Sequence, residues 1–339
     1  MSNTTEGVQA QVSDSGTLEF QQITVWKRIR SSDNSYLFLG MISYIIVSTI
    51  IAPAFASSYN IAVVLEQMSV AGILTVGTCM VLISGGIDLS IGMELSASCA
   101  LMSSIIYAGG SVKGNVFEAI IAGILLCVGG SFVMGFIISR TNVEPFIVSL
   151  GFMTIYQGIA TIITNGAEYP IPGHMAFATS IRFLTIPLMV YVAIATFVVF
   201  GLVIRFMRFG RWLYAVGDNP DAAFLAGISV KNFKLLTYVI NGVLVALASI
   251  LMLSRTQVGN PTLGTGLELT AIAAAVVGGT ALAGGKGSII GAALGTAIVG
   301  MIANSLNIIG VNSFYQYVVT GVIIIAAVLI NSLRSRRQN

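Results

Sequence analysis

VFEAIIAGILLCVGGSFVMGFIIS, residues 116–139, carries a single charged side chain, Glu118. A helix that crosses a bilayer needs about 20 mostly apolar residues, and this run has that length and that composition. Runs of the same kind recur in both directions along the chain. They predict spans at 36–56, 61–84, 91–110, 116–139, 146–165, 184–206, 235–255, 267–283, 288–308 and 314–333. The expected fold is an all-α integral membrane protein of about ten transmembrane helices. A polar, Ser-, Thr- and Gln-rich cytoplasmic tail at 1–35 precedes the transmembrane domain at 36–333, and a short basic tail at 334–339 follows it. The stretch 267–283 is short and rich in Gly and Ala, and reads either as a full crossing or as a re-entrant half-helix.

Composition supports the same class. Of 339 residues, 56% are apolar and only 9% are Asp, Glu, Lys or Arg, against roughly 25% charged in soluble domains. So few charges cannot cover a water-facing surface. The 37 glycines suit close helix approach in a membrane. A net charge of +3, spread over short loops, gives no reason to expect nucleic acid. Cys79, Cys99 and Cys127 all fall in apolar runs and read as buried free thiols, not a disulfide framework. Lys27, Arg28 and Arg30 followed by an apolar run ending in Ala-Pro-Ala-Phe-Ala-Ser resemble a signal peptide. That run is long for such a segment and starts some thirty residues in, so it is taken as the first span.

Orientation follows from the basic residues. With both termini cytoplasmic, Lys27, Arg28, Arg30, Arg140, Arg205, Arg208, Arg211, Lys231, Lys234, Lys286, Arg334, Arg336 and Arg337 lie inside, leaving only Lys113, Arg182 and Arg255 outside. Gly92-Met-Glu94-Leu-Ser-Ala97 resembles Gly266-Leu-Glu268-Leu-Thr-Ala271, five spans later. An odd separation reverses direction, so the pair suggests a 5+5 inverted repeat.

The loop Gly210-Arg-Trp-Leu-Tyr-Ala-Val-Gly-Asp-Asn-Pro-Asp-Ala-Ala-Phe-Leu-Ala-Gly227 encodes a short helix from Pro220 to Ala226. Asn219 is a good N-cap, Pro220 suits the first position, Asp221 complements the dipole and Gly227 can end the helix. So short and apolar a helix is unstable alone in water, so it docks, either on this chain's own helix ends or on a partner.

Ser84-Gly-Gly-Ile-Asp88-Leu-Ser90-Ile-Gly92 reads as a break between helices. Asp88 caps the next helix or, where the break dips into the bilayer, lines a polar path. Glu94 and Glu268 are candidates for the same path, because a charge at mid-membrane costs about 2.5 kcal/mol or more. Glu66 and Glu268 both lie near predicted outer ends, where simple hydration is the alternative to a path role, while Gln157, Asn241 and Asn304 are weaker path candidates with interhelical hydrogen bonding as the plainer role. Gly278-Gly-Thr-Ala-Leu-Ala-Gly284-Gly-Lys286-Gly287 puts Gly where a phosphate loop needs Ser or Thr, and no strand precedes it. It reads as a tight cytoplasmic turn. His174 is the only histidine, and neither a zinc-ligand spacing nor a Gly-x-Ser-x-Gly elbow occurs, so transport is expected and catalysis is not.

The chain resembles the membrane subunits of ribose-type ABC sugar importers at residues 85–92, at Phe209–Gly217 and, over the longest match, at 266–287, within a likeness covering about 36 to 333. Asp221-Ala222-Ala223-Phe224-Leu-Ala-Gly227 is similar to that family's Glu-Ala-Ala, three residues, Gly pattern, with Asp in place of Glu. The resemblance implies a coupling helix docking into a separate ABC ATPase through Asp221, Ala222, Ala223, Phe224 and Gly227. It implies a periplasmic sugar-binding protein, a second permease copy and a place in the bacterial inner membrane. It also implies that ATP-Mg is bound by the ATPase and that this chain binds no cofactor. Asp88, Glu94, Gln157 and Glu268 are the expected path residues. The rival is an ion-gradient-driven secondary transporter, which fits the helices but not the docking loop; a channel fits less well, since no pore loop repeats.

Overall fold

The computed structural model describes residues 7–12, 18–23, 33–107, 115–312, 315, 318–323, 325–326 and 329. Among the described residues six helices are long and apolar enough to cross a membrane: α2 (Ser58–Ile83), α4 (Val116–Arg140), α5 (Pro145–Thr164), α6 (Leu188–Phe206), α9 (Val230–Thr256) and α11 (Ile289–Ile308). Three shorter apolar helices join them: α1 (Asp33–Ile51), α3 (Ile91–Ile106) and α10 (Leu267–Val277). These nine match nine of the predicted runs. Half of the tenth, 314–333, lies outside the described residues, as does all of 334–339.

The differences have local causes. The first run breaks after Ile51, and Pro53–Ala56 forms a single 3-10 turn before Ser57 caps α2 through the Asn60 N–H. The sixth starts late because Arg182–Phe183 pairs with Ile186–Pro187, and Pro187 then precedes α6. α10 ends at Val277, where Gly278 and Gly279 follow. Within the expected tail, β1 (Gly7–Val12) and β2 (Leu18–Ile23) pair as an antiparallel hairpin. Both segments alternate apolar and polar residues with the period of a strand, which a reading by composition passed over.

α2 and α9 are the most enclosed of the long helices and α5 the most exposed. α9 packs chiefly along α4 and α2, while α3 lies between α4 and α5. The core thus has α2, α3, α9 and α10 at its centre, with α4, α5 and α6 offering apolar outer faces of the kind lipid covers.

Candidate functional site

Two half-length helices meet head to head inside this bundle. α2 ends at Ile83, residues 86–90 run without helix, and α3 then starts at Ile91. Residues 257–266 likewise lead into α10 at Leu267. The two N-termini touch through glycines. A Cβ on Gly92 would collide with the Gly264 carbonyl and with Glu268 Oε2, and one on Gly264 would collide with the Gly92 carbonyl. The Gly264 N–H donates to Ser96 Oγ at 2.7 Å. Non-helical backbone at such depth survives only where protein or a cavity surrounds it.

Three carboxyl side chains are buried here: Asp88, Glu94 and Glu268. Ser90 donates its N–H (2.8 Å) and hydroxyl (2.7 Å) to Asp88 Oδ1, and Asn241 donates to Asp88 Oδ2 at 2.8 Å. Asp88 therefore stiffens the break and ties it to α9; it does not cap α3, whose N-cap Ser90 makes no side-chain cap bond. Tyr238, one turn before Asn241, donates its hydroxyl to the Ile87 carbonyl at 3.3 Å. Glu94 Oε1 accepts from Ser131 (2.9 Å) and Tyr156 (3.4 Å), and Glu268 Oε1 from the Gly266 N–H (3.2 Å). Oε2 of each glutamate is buried without a partner among the described residues. Both sit in the first turn of a helix, where the dipole favours a carboxylate, yet no Lys or Arg pairs with them among the described residues. So costly a placement makes Glu94 and Glu268 candidates for a functional role.

The start of the first break and the turn after α10 converge with the loop after α6. That loop is two helices. α7 (Arg208–Asp218), not expected from sequence, buries Leu213 and Val216, and α8 (Pro220–Leu225) follows. Asn219 Oδ1 accepts the Ala222 N–H at 3.0 Å; at the other end Gly227 (φ 85°) donates to Phe224 O and Ile228 to Ala223 O. Every expected cap of α8 is in place. At the end of α7, Gly217 leaves no room for a Cβ against the Ile83 carbonyl, and that carbonyl accepts the Gly285 N–H at 2.9 Å. Gly284, at φ 90°, packs on Gly85 and on the Gly217 carbonyl. The Tyr214 hydroxyl donates to the Gly287 carbonyl at 2.8 Å, and burial pushes that phenol above its ordinary pKa, keeping it a neutral donor. The glycine-rich 278–287 segment is thus a tight turn locked to two other backbones.

The family model for the branched-chain amino acid transport system / permease component matches residues 60–328. The chain belongs to this permease family. It is 37% identical over 303 residues to a ribose import permease of Bacillus subtilis, covering 88% of this chain and 92% of the relative. A ribose import permease of Escherichia coli is 36% identical over 296 residues, covering 85% and 89%. A D-allose transport system permease of Escherichia coli is 35% identical over 287 residues, covering 83% and 86%. No solved structure matches the chain. With family and helices together, the chain is a multi-pass membrane permease component.

Within this permease the candidates separate. Asp88, Glu94 and Glu268 come together at the helix junction. Gln157 does not: it points outward from α5, and its neighbour Tyr156 faces Glu94 instead. Of the loop residues, Asp221, Ala222, Phe224 and Gly227 are exposed, whereas Ala223 is buried on this chain's own side. Asn241 and Asn304 both bond across helices, the latter exchanging amide bonds with Asn60 at 2.9 and 3.0 Å. Ser131, Tyr156, Tyr238 and Leu225 were missed. Only Leu225, apolar in a basic loop, carried a signal that could have found it. Among the described residues no group of His, Cys, Asp or Glu converges as a metal site.

Proposed function

We propose that this chain is the membrane subunit of an ATP-driven importer of a simple sugar, forming the path while a separate ATPase binds and hydrolyses ATP-Mg. The observation that carries the reading is the outer face of α8: Phe224 and Leu225 are 69% and 86% exposed on a fully capped helix whose inner side, at Ala223, is already packed. An apolar pair left facing water on an ordered cytoplasmic helix is a surface for another protein. The substrate class rests on the relatives named for ribose and allose import.

Coupling then has a physical route. Movement of an ATPase against α8 would be carried by α7 to the Gly217 junction. That junction grips the end of α2 and the turn after α10 together. The break beyond α2 holds Asp88 and leads to Glu94, and α10 carries Glu268, so both half-helices would shift as one and alternate access. We propose Asp88, Glu94 and Glu268 for the path. Gln157, pointing out of the chain, would line it only where a second copy closes it.

The proposal includes ten spans with both termini cytoplasmic, a second identical copy, a periplasmic sugar-binding protein and the bacterial inner membrane. The distribution of basic residues supports the orientation. The head-to-head α3 and α10, each with Glu in its first turn, support an inverted repeat. The unpartnered glutamate oxygens favour one rival, a transporter driven by an ion gradient.

Purification of the tagged chain from native membranes in mild detergent separates the two. The expected result is an ATPase subunit in fixed ratio and sugar uptake that survives collapse of the ion gradients. A chain recovered alone, with uptake lost on collapse, would establish the rival.

A further inference from the structure

A second polar site lies on the far side of α10. A partly open cavity of about 250 Å³ is lined by α2, α9, α10, α11 and Thr320. It is smaller than the roughly 300–1,000 Å³ of sites that take drug-sized ligands, but large enough for several waters or one small polyol. Its polar lining includes Gln67, Arg255, Thr270 and Thr296. The Gln67 amide, half-buried, has no hydrogen bond to the described residues and so offers two donors and an acceptor. Thr270 and Thr296 each donate to the carbonyl four residues back, at 2.9 and 2.8 Å, which leaves their oxygens free to accept. Arg255 adds donors only. Donors and acceptors thus converge without a carboxylate in the lining, against apolar walls. That is the chemistry of a neutral polyhydroxyl ligand, and it fits neither a cation nor a metal.

The cavity has a neighbour. An open pocket of about 890 Å³ is lined by Glu66, Arg182 and Arg255 among others, so Arg255 borders both spaces. Glu66 stands between the two arginines, with oxygens 3.8 Å from Arg182 and 3.9 Å from Arg255. Pairs this long and part-exposed are weak and can exchange for a passing ligand.

Resting on the sugar-import reading above, we propose that the monosaccharide is held in this cavity before it enters the path assigned to Asp88, Glu94 and Glu268. Gln67, Arg255 and Thr270 bind its hydroxyls, and Glu66 controls access by holding Arg255. Thr270 stands two residues after Glu268, about 200° around the helix. α10 therefore presents Glu268 to the half-helix junction and Thr270 to the sugar, so the movement that alternates access also remakes the site.

The test uses the complete importer in proteoliposomes, with radiolabelled D-ribose, D-allose and L-arabinose as probes. For the sugar imported by the unaltered chain, Gln67→Leu should lower uptake at limiting sugar about tenfold, the loss of a site's hydrogen bond to a substrate hydroxyl. Ala71→Phe, which fills the cavity, should abolish it. Both should retain the ATPase subunit in normal ratio. Gln67→Cys gives a second readout, since the native Cys79, Cys99 and Cys127 are buried: the imported sugar should slow its labelling by a membrane-impermeant maleimide several-fold. Uptake by Gln67→Leu and Ala71→Phe within twofold of the unaltered chain, or labelling indifferent to sugar, would overturn the cavity while leaving the importer reading intact. An unaltered chain that retains the ATPase but imports none of the three sugars removes the substrate reading and the cavity with it.

Discussion

Gly217 meets Ile83 through bare backbone: there is no room for a Cβ between them, and the same Ile83 carbonyl receives the Gly285 N–H at 2.9 Å. Three chain segments far apart in sequence are thereby fixed at one point. The α7–α8 arm meets the end of α2 and the turn after α10 there with no flexible side chain between.

Replacing Gly217 by Ala pushes a methyl group into fixed backbone. Overpacking of this kind costs about 1–3 kcal/mol, and here the relief must come from separating α7 from the end of α2. Gly217→Ala should retain the ATPase, because α8 is untouched, yet lower uptake per ATP hydrolysed at least severalfold. Parallel measurement of sugar uptake and ATP hydrolysis checks this; an unchanged ratio would show that force does not travel through the junction.

On α8 the inner and outer faces predict opposite outcomes. Leu225→Asp puts a charge on a side chain that is 86% exposed in this chain, so its own thermal stability should be unchanged and ATPase recovery should fall. Ala223→Arg forces a long charged side chain into a buried position, so the chain itself should lose stability first. Thermal melting of the detergent-solubilised chain, compared with co-purification of the ATPase, distinguishes the two. Loss of ATPase from neither variant would remove α8 as the docking element.

Much of this was legible in the residues, for identifiable reasons. Nine runs long enough to span, the caps of α8 and the break before Asp88 are local signals, each written within a few adjacent positions. The N-cap Asn219 and the terminating Gly227 needed no tertiary knowledge. What stayed hidden depends on contacts between distant segments. Tyr156 points at Glu94 while Gln157 points away, and one residue of helix rotation decides which; all-round apolar helices carry no moment to set that rotation. α7 was missed because its packed face, Phe209, Gly210, Leu213, Tyr214 and Val216, lies within a basic loop and covers helix ends distant in sequence. The glycine junction was unreadable in principle, since glycine excess shows that backbones approach but not which ones.

Asn241 and Asp88 supply a test of the break. Asn241→Leu removes the donor to Asp88 Oδ2, and an unsatisfied buried acceptor costs about 1–3 kcal/mol. The single variant should be destabilised by that amount and should import poorly, because the break is no longer tied to α9. Asp88→Asn keeps a side-chain oxygen for the Ser90 donors and should lose less stability than Asn241→Leu, while still impairing uptake if the carboxyl group serves the path. Normal uptake in Asp88→Asn would reduce Asp88 to a structural role.

The Asn60–Asn304 pair predicts the contrary pattern, and so calibrates the rest. Its two amides exchange hydrogen bonds between α2 and α11, far in sequence and contact from the carboxyl cluster, and border neither the Gln67 cavity nor the α7–α8 loop. Interhelical bonds of this sort contribute about 0.6–2 kcal/mol. Asn304→Leu alone leaves Asn60 Oδ1 without its donor, while Asn60 Nδ2 keeps the Phe55 carbonyl, and should destabilise the chain by about 1–3 kcal/mol. The double change Asn60→Leu, Asn304→Leu removes both amides, leaves only the Phe55 carbonyl without its Asn60 donor, and should recover part of that loss. Uptake per folded molecule should stay normal in both. Denaturation of the purified chain, paired with uptake normalised to membrane abundance, gives the answer. A transport defect in the double variant, with stability restored, would place this pair in the moving machinery and extend the working region from the half-helix junction to the opposite end of α2.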